Sequence, residues 1–442
     1  MKRLLGEAGF FAYLDALNQP YTRALRVNLL LRPDGTPPCP IEGLGAPVPW
    51  AKGAYFVEGD ARPGLSPLHE GGLFYMQEPS ALTAVTALDP QPGERVLDLC
   101  AAPGGKSTQI AALMAGRGLL CCNEPIPSRA QILSRNIERM GVRNAVVLSA
   151  MPDALAPRFP AFFDRILVDA PCSGEGMFRR QPEARDEWDA DAPRRCADRQ
   201  MEILAQAAKM LRPGGTMVYS TCTFNDTENE GVLRRFLALH PEFSLVPFAL
   251  PGLPEAKDGY LHLYPHEMRG EGHFVSRLKK ADGADEADAP VQAAPQRKAP
   301  ARAAAKGKAP ASIALPDVFS DAFAPERLYT AGDALWMLPE GISIERLSGL
   351  RVLRTGLLLA HAEGKRSEPD HALAMALRPE EAARTASLTQ TQALAYQAGE
   401  TLSLGDLPGG YTLLCCEGVS LGWGKQAGGL MKNHYPKGLR RR

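Results

Sequence analysis

The chain has 442 residues, a length that predicts about two to four domains with room for buried cores. Hydrophobic residues make up 45% and charged residues 23%, a mixture that argues against a disordered chain and against a fibrous repeat. The 50 Lys and Arg balance the 50 Asp and Glu, and this zero formal net charge, taken alone, favours a small-molecule enzyme over a nucleic-acid-binding protein.

Neither a membrane segment nor a secretion signal is expected. No apolar run approaches the roughly 18 residues that span a bilayer, and the N-terminus lacks the apolar core and cleavage site of a signal peptide. The nine cysteines show no CxxC spacing, which argues against a disulfide framework and a structural zinc site. We therefore expect a cytoplasmic protein with no membrane partner and no metal, and we expect it to be a monomer.

Residues 1–70 predict a small α+β lobe. A helical start is followed by the strand-like segment LRVNLLL (Leu25–Leu31) and by Pro-rich turns at 37–40. The lobe precedes a long stretch with a more regular pattern.

From residue 71 to 280, buried strands alternate with amphipathic helices. This alternation predicts a doubly wound α/β domain with a mostly parallel sheet. Asn225 and Glu228 have the spacing of a capping box for the last predicted helix. The predicted strands are Arg95–Cys100, Gly118–Asn123, Ala145–Leu148, Arg165–Asp169 and Thr216–Thr221, and the predicted helices are Lys106–Ala115, Ser128–Met140, Arg199–Leu211 and Asn225–His240.

Composition changes abruptly over Ala281–Ser312. These 32 residues include 13 Ala and 4 Pro and no aromatic residue. Such a segment buries too little apolar surface to offset its ordering entropy, so a flexible linker is predicted. It separates the α/β domain from a C-terminal module over residues 313–442.

A Gly-rich loop follows the first strand of the α/β domain. In an open α/β sheet, ligands bind beyond the carboxyl ends of the strands. The loop has small residues and leads into a helix N-terminus, which favours a negatively charged group. Glu124 ends the next strand, where an acid can accept hydrogen bonds from ribose hydroxyls. The candidate cofactor-binding residues are Cys100, Ala101, Ala102, Pro103, Gly104, Gly105, Lys106 and Glu124.

Three ligands compete for this loop. A phosphate-binding P-loop is suggested by Gly105-Lys106-Ser107, but Cys100 stands where the first Gly belongs. A dinucleotide site requires GxGxxG, which is absent. Acids at Asp98 and Glu124 suit a sugar and a cation better than a triphosphate. S-adenosylmethionine, a cationic nucleoside without phosphate, therefore fits best.

Two cysteines follow two other strands of the predicted sheet. Cys172 comes after Asp169-Ala170-Pro171, and Cys222 comes after Ser220-Thr221. Carbon 5 of a pyrimidine is a poor nucleophile until a thiolate adds to carbon 6, so such a thiol suits methyl transfer to that carbon. Asp169 is placed to stabilise a ring protonated at nitrogen 3 or to bind the exocyclic amine, which would select cytosine. From the residues alone, either cysteine can be the nucleophile.

Four motifs around these sites carry a specific resemblance. LDLCAAPGGK (97–106), VDAPCSGEG (168–176), STCTF (220–224) and YMQEPSA (75–81) resemble the RNA 5-methylcytosine methyltransferases of the NOP/Sun family. The segment LGWGKQAGGLMKNHYPKGLRR (421–441) is similar to the C-terminal end of the bacterial RsmF-type branch.

The resemblance implies a fold and a substrate. The fold is a Rossmann-like methyltransferase domain over residues 71–280, an RNA-binding lobe over 1–70 and a PUA-like RNA-binding domain over 313–442. The implied substrate is 16S rRNA, free or in the 30S subunit, and the alternative is a tRNA or another RNA. Two readings from other classes stay open, a P-loop NTPase and an inactive RNA-binding assembly factor.

The resemblance also implies residue roles. Cys222 is the nucleophile that forms a covalent bond to cytosine, Cys172 assists product release, and Asp169 lies at the target base and the cofactor. Many relatives have an Asp contacting adenine about 18 residues before Asp169, where this chain has Met151. Asp153 is two residues further on, and the adenine contact stays undecided.

The last 18 residues, 425–442, contain six Lys and Arg and no acid. Trp423, His434 and Tyr435 are interleaved with them as candidate groups for base stacking. This basic end favours contact with RNA phosphates. The zero net charge therefore argues against indiscriminate binding of polyanions and not against RNA as a substrate.

Overall fold

The computed structural model describes residues 1–283, 313, 317–319, 325–363 and 366–441, so the predicted linker lies, beyond residue 283, outside the described residues. None of the described helices is long and apolar enough to cross a membrane. The helices are α1 (Lys2–Leu17), α2 (Pro67–Glu70), α3 (Thr83–Leu88), α4 (Gly105–Leu113), α5 (Pro127–Arg139), α6 (Pro152–Leu155), α7 (Pro182–Asp186), α8 (Ala192–Met210), α9 (Glu230–Leu239), α10 (Ile344–Leu347), α11 (His371–Ala376) and α12 (Gln390–Ala398).

The strands form four sheets in the described part of the chain. They are β1 (Arg23–Val27), β2 (Leu44–Pro47), β3 (Ala54–Val57), β4 (Phe74–Met76), β5 (Arg95–Asp98), β6 (Leu119–Asn123), β7 (Ala145–Leu148), β8 (Phe163–Asp169), β9 (Leu211–Thr221), β10 (Phe243–Leu245), β11 (Tyr260–Leu263), β12 (His273–Lys280), β13 (Leu328–Ala331), β14 (Ala334–Met337), β15 (Val352–Arg354), β16 (Leu357–Glu363), β17 (Arg366–Pro369), β18 (Thr385–Ser387), β19 (Gly410–Cys416), β20 (Val419–Ala427) and β21 (Leu430–Asn433).

The largest sheet confirms the predicted α/β class. Its order is β10-β12-β9-β8-β5-β6-β7-β15, with β11 beside β12. The five strands from β9 to β7 are parallel, and β12, β10 and β15 pair antiparallel at the edges. Neighbouring residues along a strand enter different cores, as Leu120 and Cys121 do on opposite faces of β6. A sheet buried on both faces explains the continuous apolar runs within these strands, such as Ile166–Val168 of β8.

Two predicted helices begin elsewhere in the structure. α8 begins at Ala192, seven residues before the predicted start, with Pro193 in its first turn. The prediction missed this start because the added segment is polar and shows no apolar periodicity. α9 begins at Glu230. Asn225 caps the turn before it, where the side-chain oxygen accepts a hydrogen bond from the Glu228 amide at 3.0 Å.

The N-terminal lobe contains an antiparallel sheet in the order β2-β3-β1-β4, which α1 precedes in sequence. The C-terminal part contains two further four-stranded sheets, β13-β14-β16-β17 and β18-β19-β20-β21. β15, which lies between β14 and β16 in sequence, pairs with β7 instead and so extends the far edge of the largest sheet.

The N-terminal lobe and the C-terminal part share one hydrophobic core. Leu25 and Phe74 of the lobe are buried in the same cluster as Tyr396 and Leu421. The Gln397 side chain also donates a hydrogen bond to the Pro67 carbonyl at 3.0 Å. Because apolar burial holds them together, these segments behave as one body and not as separate modules on a tether.

The contact between Gly71 and β20 tests this shared core. A Cβ at Gly71 would lie 2.9 Å from Leu421 Cδ2 and 3.0 Å from Val419 Cγ1, so Gly71→Ala crowds the contact between the two segments. We expect overpacking to cost about 1–3 kcal/mol, measured as a lower midpoint of urea unfolding. Gly64→Ala is the matched control, because its nearest neighbour is 3.9 Å away. Equal midpoints for the two variants would mean that the segments do not dock.

Candidate active site

The two cysteines of the sequence analysis meet at the carboxyl edge of the central sheet. β8 and β9 run parallel with Asp169 opposite Ser220, so the residues that follow leave the sheet side by side. The Cys172 and Cys222 sulfurs lie 3.3 Å apart, and both side chains are half-buried. The hydrogen bond to Cys222 and burial raise the pKa of Cys172 well above its usual value, and the Cys222 charge adds to the shift. Cys172 is therefore a neutral thiol when Cys222 is a thiolate.

Two hydrogen-bond donors and an imidazole surround Asp169. Lys106 Nζ donates to Oδ2 at 2.8 Å and Ser220 Oγ to Oδ1 at 2.8 Å, while His273 Nε2 is 3.5 Å from Oδ1. Burial opposes ionisation, but the Lys106 charge and the His273 imidazole outweigh it and hold the pKa of Asp169 well below its usual range. The same pairing raises the pKa of Lys106 against the effect of burial. Asp169 is thus an anion that accepts hydrogen bonds and cannot supply a proton.

The cofactor loop runs from the end of β5 to the start of α4. Gly104 has φ +113°, and a Cβ there would lie 3.2 Å from Leu133 Cδ1 of α5. A Cβ on Gly105 would lie 3.2 Å from the Tyr75 ring. These glycines are therefore required by packing against α5 and the N-terminal lobe. The first N–H groups of α4 have no acceptor within the helix and face the same edge as Asp169.

Buried acids surround this loop. Burial raises the pKa of Asp98 to about 7, although Ser107 Oγ donates to its Oδ2 at 2.6 Å. The other oxygen, Oδ1, is buried with no hydrogen-bond partner among the described residues. Glu124 is 3% exposed, and its Oε1 accepts from the Ile126 amide at 3.0 Å. Burial and these acids raise the pKa of Cys100, so that thiol is neutral and not a nucleophile.

The side chains around the loop fit a cationic nucleoside better than a triphosphate. An orphaned carboxylate oxygen and a second buried acid can accept hydrogen bonds from an ammonium group and a diol. The lysine of a P-loop must reach phosphates, whereas Lys106 is already paired with Asp169 at 2.8 Å. The geometry therefore disfavours the P-loop alternative.

Sequence reasoning missed two residues that support the site. Arg26 of β1 is 1% exposed, and its Nη2 donates to Thr108 Oγ1 at 2.9 Å and to the Gly105 carbonyl at 3.3 Å. Arg26 thus fixes the first turn of α4 from the N-terminal lobe. The only signal for it was one charge inside an apolar strand. His273, at the start of β12, carried no recognisable motif.

The predicted stacking groups near the C-terminus are wrong for two residues. Trp423 is 2% exposed and donates to the Asp370 carbonyl at 2.8 Å, and Tyr435 is 4% exposed in the shared core. Both have no free ring face for a base because neighbouring elements cover them. His434 is half-buried beside the Tyr411 ring, with Nδ1 3.0 Å from Glu368 Oε1.

The adenine region remains without an assigned contact. Met151 precedes α6 and is 61% exposed, and Asp153 in the first turn of that helix is also exposed. Both lie beyond the end of β7. The neighbouring strand in the sheet is β6, which Glu124 follows. Neither residue makes a contact that assigns it to the adenine.

Family models match the chain in four ranges. "16S rRNA methyltransferase RsmB/F" matches residues 85–279 and "N-terminal domain of 16S rRNA methyltransferase RsmF" matches 1–79. "RsmF rRNA methyltransferase first C-terminal domain" matches 316–377, and "Methyltransferase RsmF PUA domain" matches 383–441.

Relatives and solved structures agree with these matches. The chain is 33% identical over 460 residues to ribosomal RNA small subunit methyltransferase F of Erwinia tasmaniensis, covering 99% of this chain and 95% of the relative. The protein of that name from Enterobacter sp. is 35% identical over 453 residues, covering 97% and 92%. A methyltransferase homolog from Pyrococcus horikoshii superposes with a TM-score of 0.51 at 29% identity, covering 63% of this chain and 97% of that one. NSun6 from the same organism, with a TM-score of 0.54 at 22% identity over 64% and 97%, shares the fold.

The raised pKa of Asp98 predicts a pH-dependent stability. As pH rises from about 4 to 7, the unfolded chain ionises this carboxyl while the folded protein keeps it protonated, so folding becomes less favourable. Asp98→Asn removes this loss. We expect its stabilisation relative to wild type to grow by about 2–3 kcal/mol between pH 5 and pH 8 in urea unfolding without added cofactor. The exposed-site control Asp153→Asn should show no such trend, and a flat difference for Asp98→Asn would contradict the buried-acid assignment.

Proposed function

We propose which residues carry out the reaction of this chain, which belongs to the RsmB/F family of 16S rRNA methyltransferases. It is a cytosine methyltransferase acting on small-subunit rRNA. The observation that carries the proposal is the pair of thiols 3.3 Å apart beside an ionised Asp169. We assign catalysis to residues 71–280 and RNA binding to residues 1–70 and 313–442. We propose that the protein acts in the cytoplasm.

The cofactor proposed for the loop is S-adenosylmethionine, which supplies an electrophilic methyl group when bound. Residues 100–106 would line its site, and the first N–H groups of α4 would be available to its carboxylate. Asp98 Oδ1, which is buried and unpartnered among the described residues, would accept from the ammonium group. Glu124 would accept from the ribose hydroxyls. Asp169 keeps Lys106 occupied and adds negative charge that favours a cationic ligand.

Cys222 is the proposed nucleophile. Its thiolate adds to carbon 6 of cytosine, which makes carbon 5 electron-rich and able to take the methyl group. The Cys172 thiol stabilises the Cys222 thiolate before attack, because the two sulfurs are 3.3 Å apart. Asp169 accepts hydrogen bonds from the ring or its exocyclic amine. An anion there repels the carbonyl oxygen that uracil has in place of that amine, which selects cytosine.

Cys172 completes the reaction. Addition converts Cys222 into an uncharged thioether, so the hydrogen bond and negative charge that raise the Cys172 pKa disappear. Cys172 then loses its proton to solvent more readily and takes the proton from carbon 5. Removal of that proton expels Cys222 from carbon 6 and releases the methylated base.

RNA contact is proposed for the basic end of the chain. Lys432 and Lys437 are exposed on the C-terminal sheet and the segment after it, where phosphates can reach them. Arg441 Nη2 instead donates to the Leu65 and Ser66 carbonyls, so it contributes to docking of the N-terminal lobe. The target base must leave its stack to reach the thiols.

Bisulfite sequencing of 16S rRNA tests the function in cells. Cells lacking the protein should lose at least one 5-methylcytosine, which the wild-type gene restores and a gene with Cys222→Ser does not. We expect that variant to be at least about 1000-fold slower in vitro, since serine is a far weaker nucleophile at neutral pH. An unchanged methylation pattern, or full activity of Cys222→Ser, would refute the proposal.

Replacement of Cys172 and replacement of Cys222 should affect the covalent RNA–enzyme adduct differently. Cys172→Ser lacks the base for carbon 5, so it should accumulate a covalent RNA–enzyme adduct that survives denaturing electrophoresis. The double variant Cys172→Ser/Cys222→Ser should form none. Adduct from Cys222→Ser but not from Cys172→Ser would reverse the two assignments.

A further inference from the structure

Glu228 is a fully buried carboxylate that none of the catalytic steps above uses. It is 0% exposed, and the side chains that donate to it among the described residues are neutral ones and not Lys or Arg. Its oxygens accept from the Ser173 amide at 3.0 Å, the Gln200 side chain at 2.9 Å and the Asn225 side chain at 2.9 Å. The Ser173 hydroxyl donates to it as well. Such a burial is stable because several donors satisfy the charge.

These contacts hold the backbone on both sides of Cys172. Glu228 binds the amide of Ser173, the residue after Cys172. Gln200, which donates to Glu228, also donates to the carbonyl of Pro171, the residue before Cys172, at 3.0 Å. The Tyr219 hydroxyl fixes Gln200 in turn, with a 2.9 Å hydrogen bond to its Oε1. The thiol of Cys172 therefore has little freedom to move away from Cys222.

A second carboxylate makes the reverse connection. Glu175, on the Cys172 loop, accepts from the Phe224 amide at 2.8 Å and the Asn225 amide at 3.1 Å on the Cys222 loop. The Gly176 amide donates to the Cys222 carbonyl at 2.8 Å. Each loop thus contributes a carboxylate that binds backbone amides of the other loop, one to three residues after its cysteine. This reciprocal exchange fixes the distance between the two sulfurs.

We propose that Glu228 is a positioning residue that holds Cys172 against Cys222 and so controls release of the methylated base. The inference rests on the roles proposed above for the two cysteines. Glu228 also lies near enough to Cys172 for its negative charge to help raise that thiol's pKa. The neutral thiol is then kept as a hydrogen-bond donor until Cys222 has reacted.

The test compares three variants in the full-length chain. Glu228→Gln keeps the shape but turns one acceptor into an amide that faces donors, so the Cys172 loop loosens. Glu228→Asp keeps the charge and both acceptors on a shorter arm and should recover part of the rate. Glu230→Gln is the matched control, because Glu230 is nearby on α9 and pairs with His262 instead.

For Glu228→Gln we expect kcat to fall about 10- to 100-fold, with KM for 16S rRNA within about threefold of wild type. Because release is the slowed step, adduct should accumulate during turnover. In a Cys222→Ser background, Glu228→Gln should also lower the pH midpoint for alkylation of Cys172 by iodoacetamide. Glu230→Gln should match wild type in all three measurements.

Two results overturn the proposal: a wild-type kcat for Glu228→Gln, or a lower kcat without adduct. If Glu228→Gln fails to fold, Gln200→Met removes the same anchor on Pro171 and Glu228 and should show the same adduct. Cys172→Ser is run in parallel. If that variant forms no adduct, the roles of the cysteines fail, which is distinct from failure of the role of Glu228.

Discussion

The catalytic centre depends on the parallel pairing of β8 and β9. Asp169 opposite Ser220 places the two following loops at one edge of the sheet, which brings Cys172 and Cys222 to 3.3 Å. Parallel strands need a long crossover between them, and here α8 makes it. Two cysteines 50 residues apart in sequence therefore become neighbours through backbone topology alone. The side chains of Glu175 and Glu228 then refine what the sheet has already arranged.

The two aspartates and the two thiols of the site differ in how readily each loses its proton. Asp169 is kept ionised by Lys106, whereas the more deeply buried Asp98 has its pKa raised to about 7. Two aspartates on neighbouring strands thus differ because burial dominates at Asp98, whereas Asp169 is directly paired with Lys106. The two thiols differ for a similar reason, since the negative charge of the Cys222 thiolate helps to raise the pKa of Cys172. In the proposed mechanism, the loss of charge on Cys222 removes one cause of the raised Cys172 pKa and so favours the change of Cys172 from hydrogen-bond donor to base.

The sequence predicted the α/β class from the alternation of strands and helices over residues 71–280, and it predicted the cofactor loop and the two cysteines from short segments that follow strands. It did not predict the shared core of the N-terminal lobe and C-terminal part, since Phe74 and Leu421 are far apart in the chain and each also suits a separate module. Trp423 was misassigned because an aromatic residue in a basic segment looks the same whether its ring faces RNA or a core. Glu228 was read as part of a helix cap, although its carboxylate reaches across to another loop.

The central claim is that Cys222, and not Cys172, bonds to cytosine. Its most direct test is peptide mapping by mass spectrometry of the adduct trapped with Cys172→Ser after digestion of the RNA and the protein. The account predicts a methylated cytidine on the peptide that contains Cys222. A nucleotide on any other peptide, or on Cys222 without the added methyl group, would contradict it.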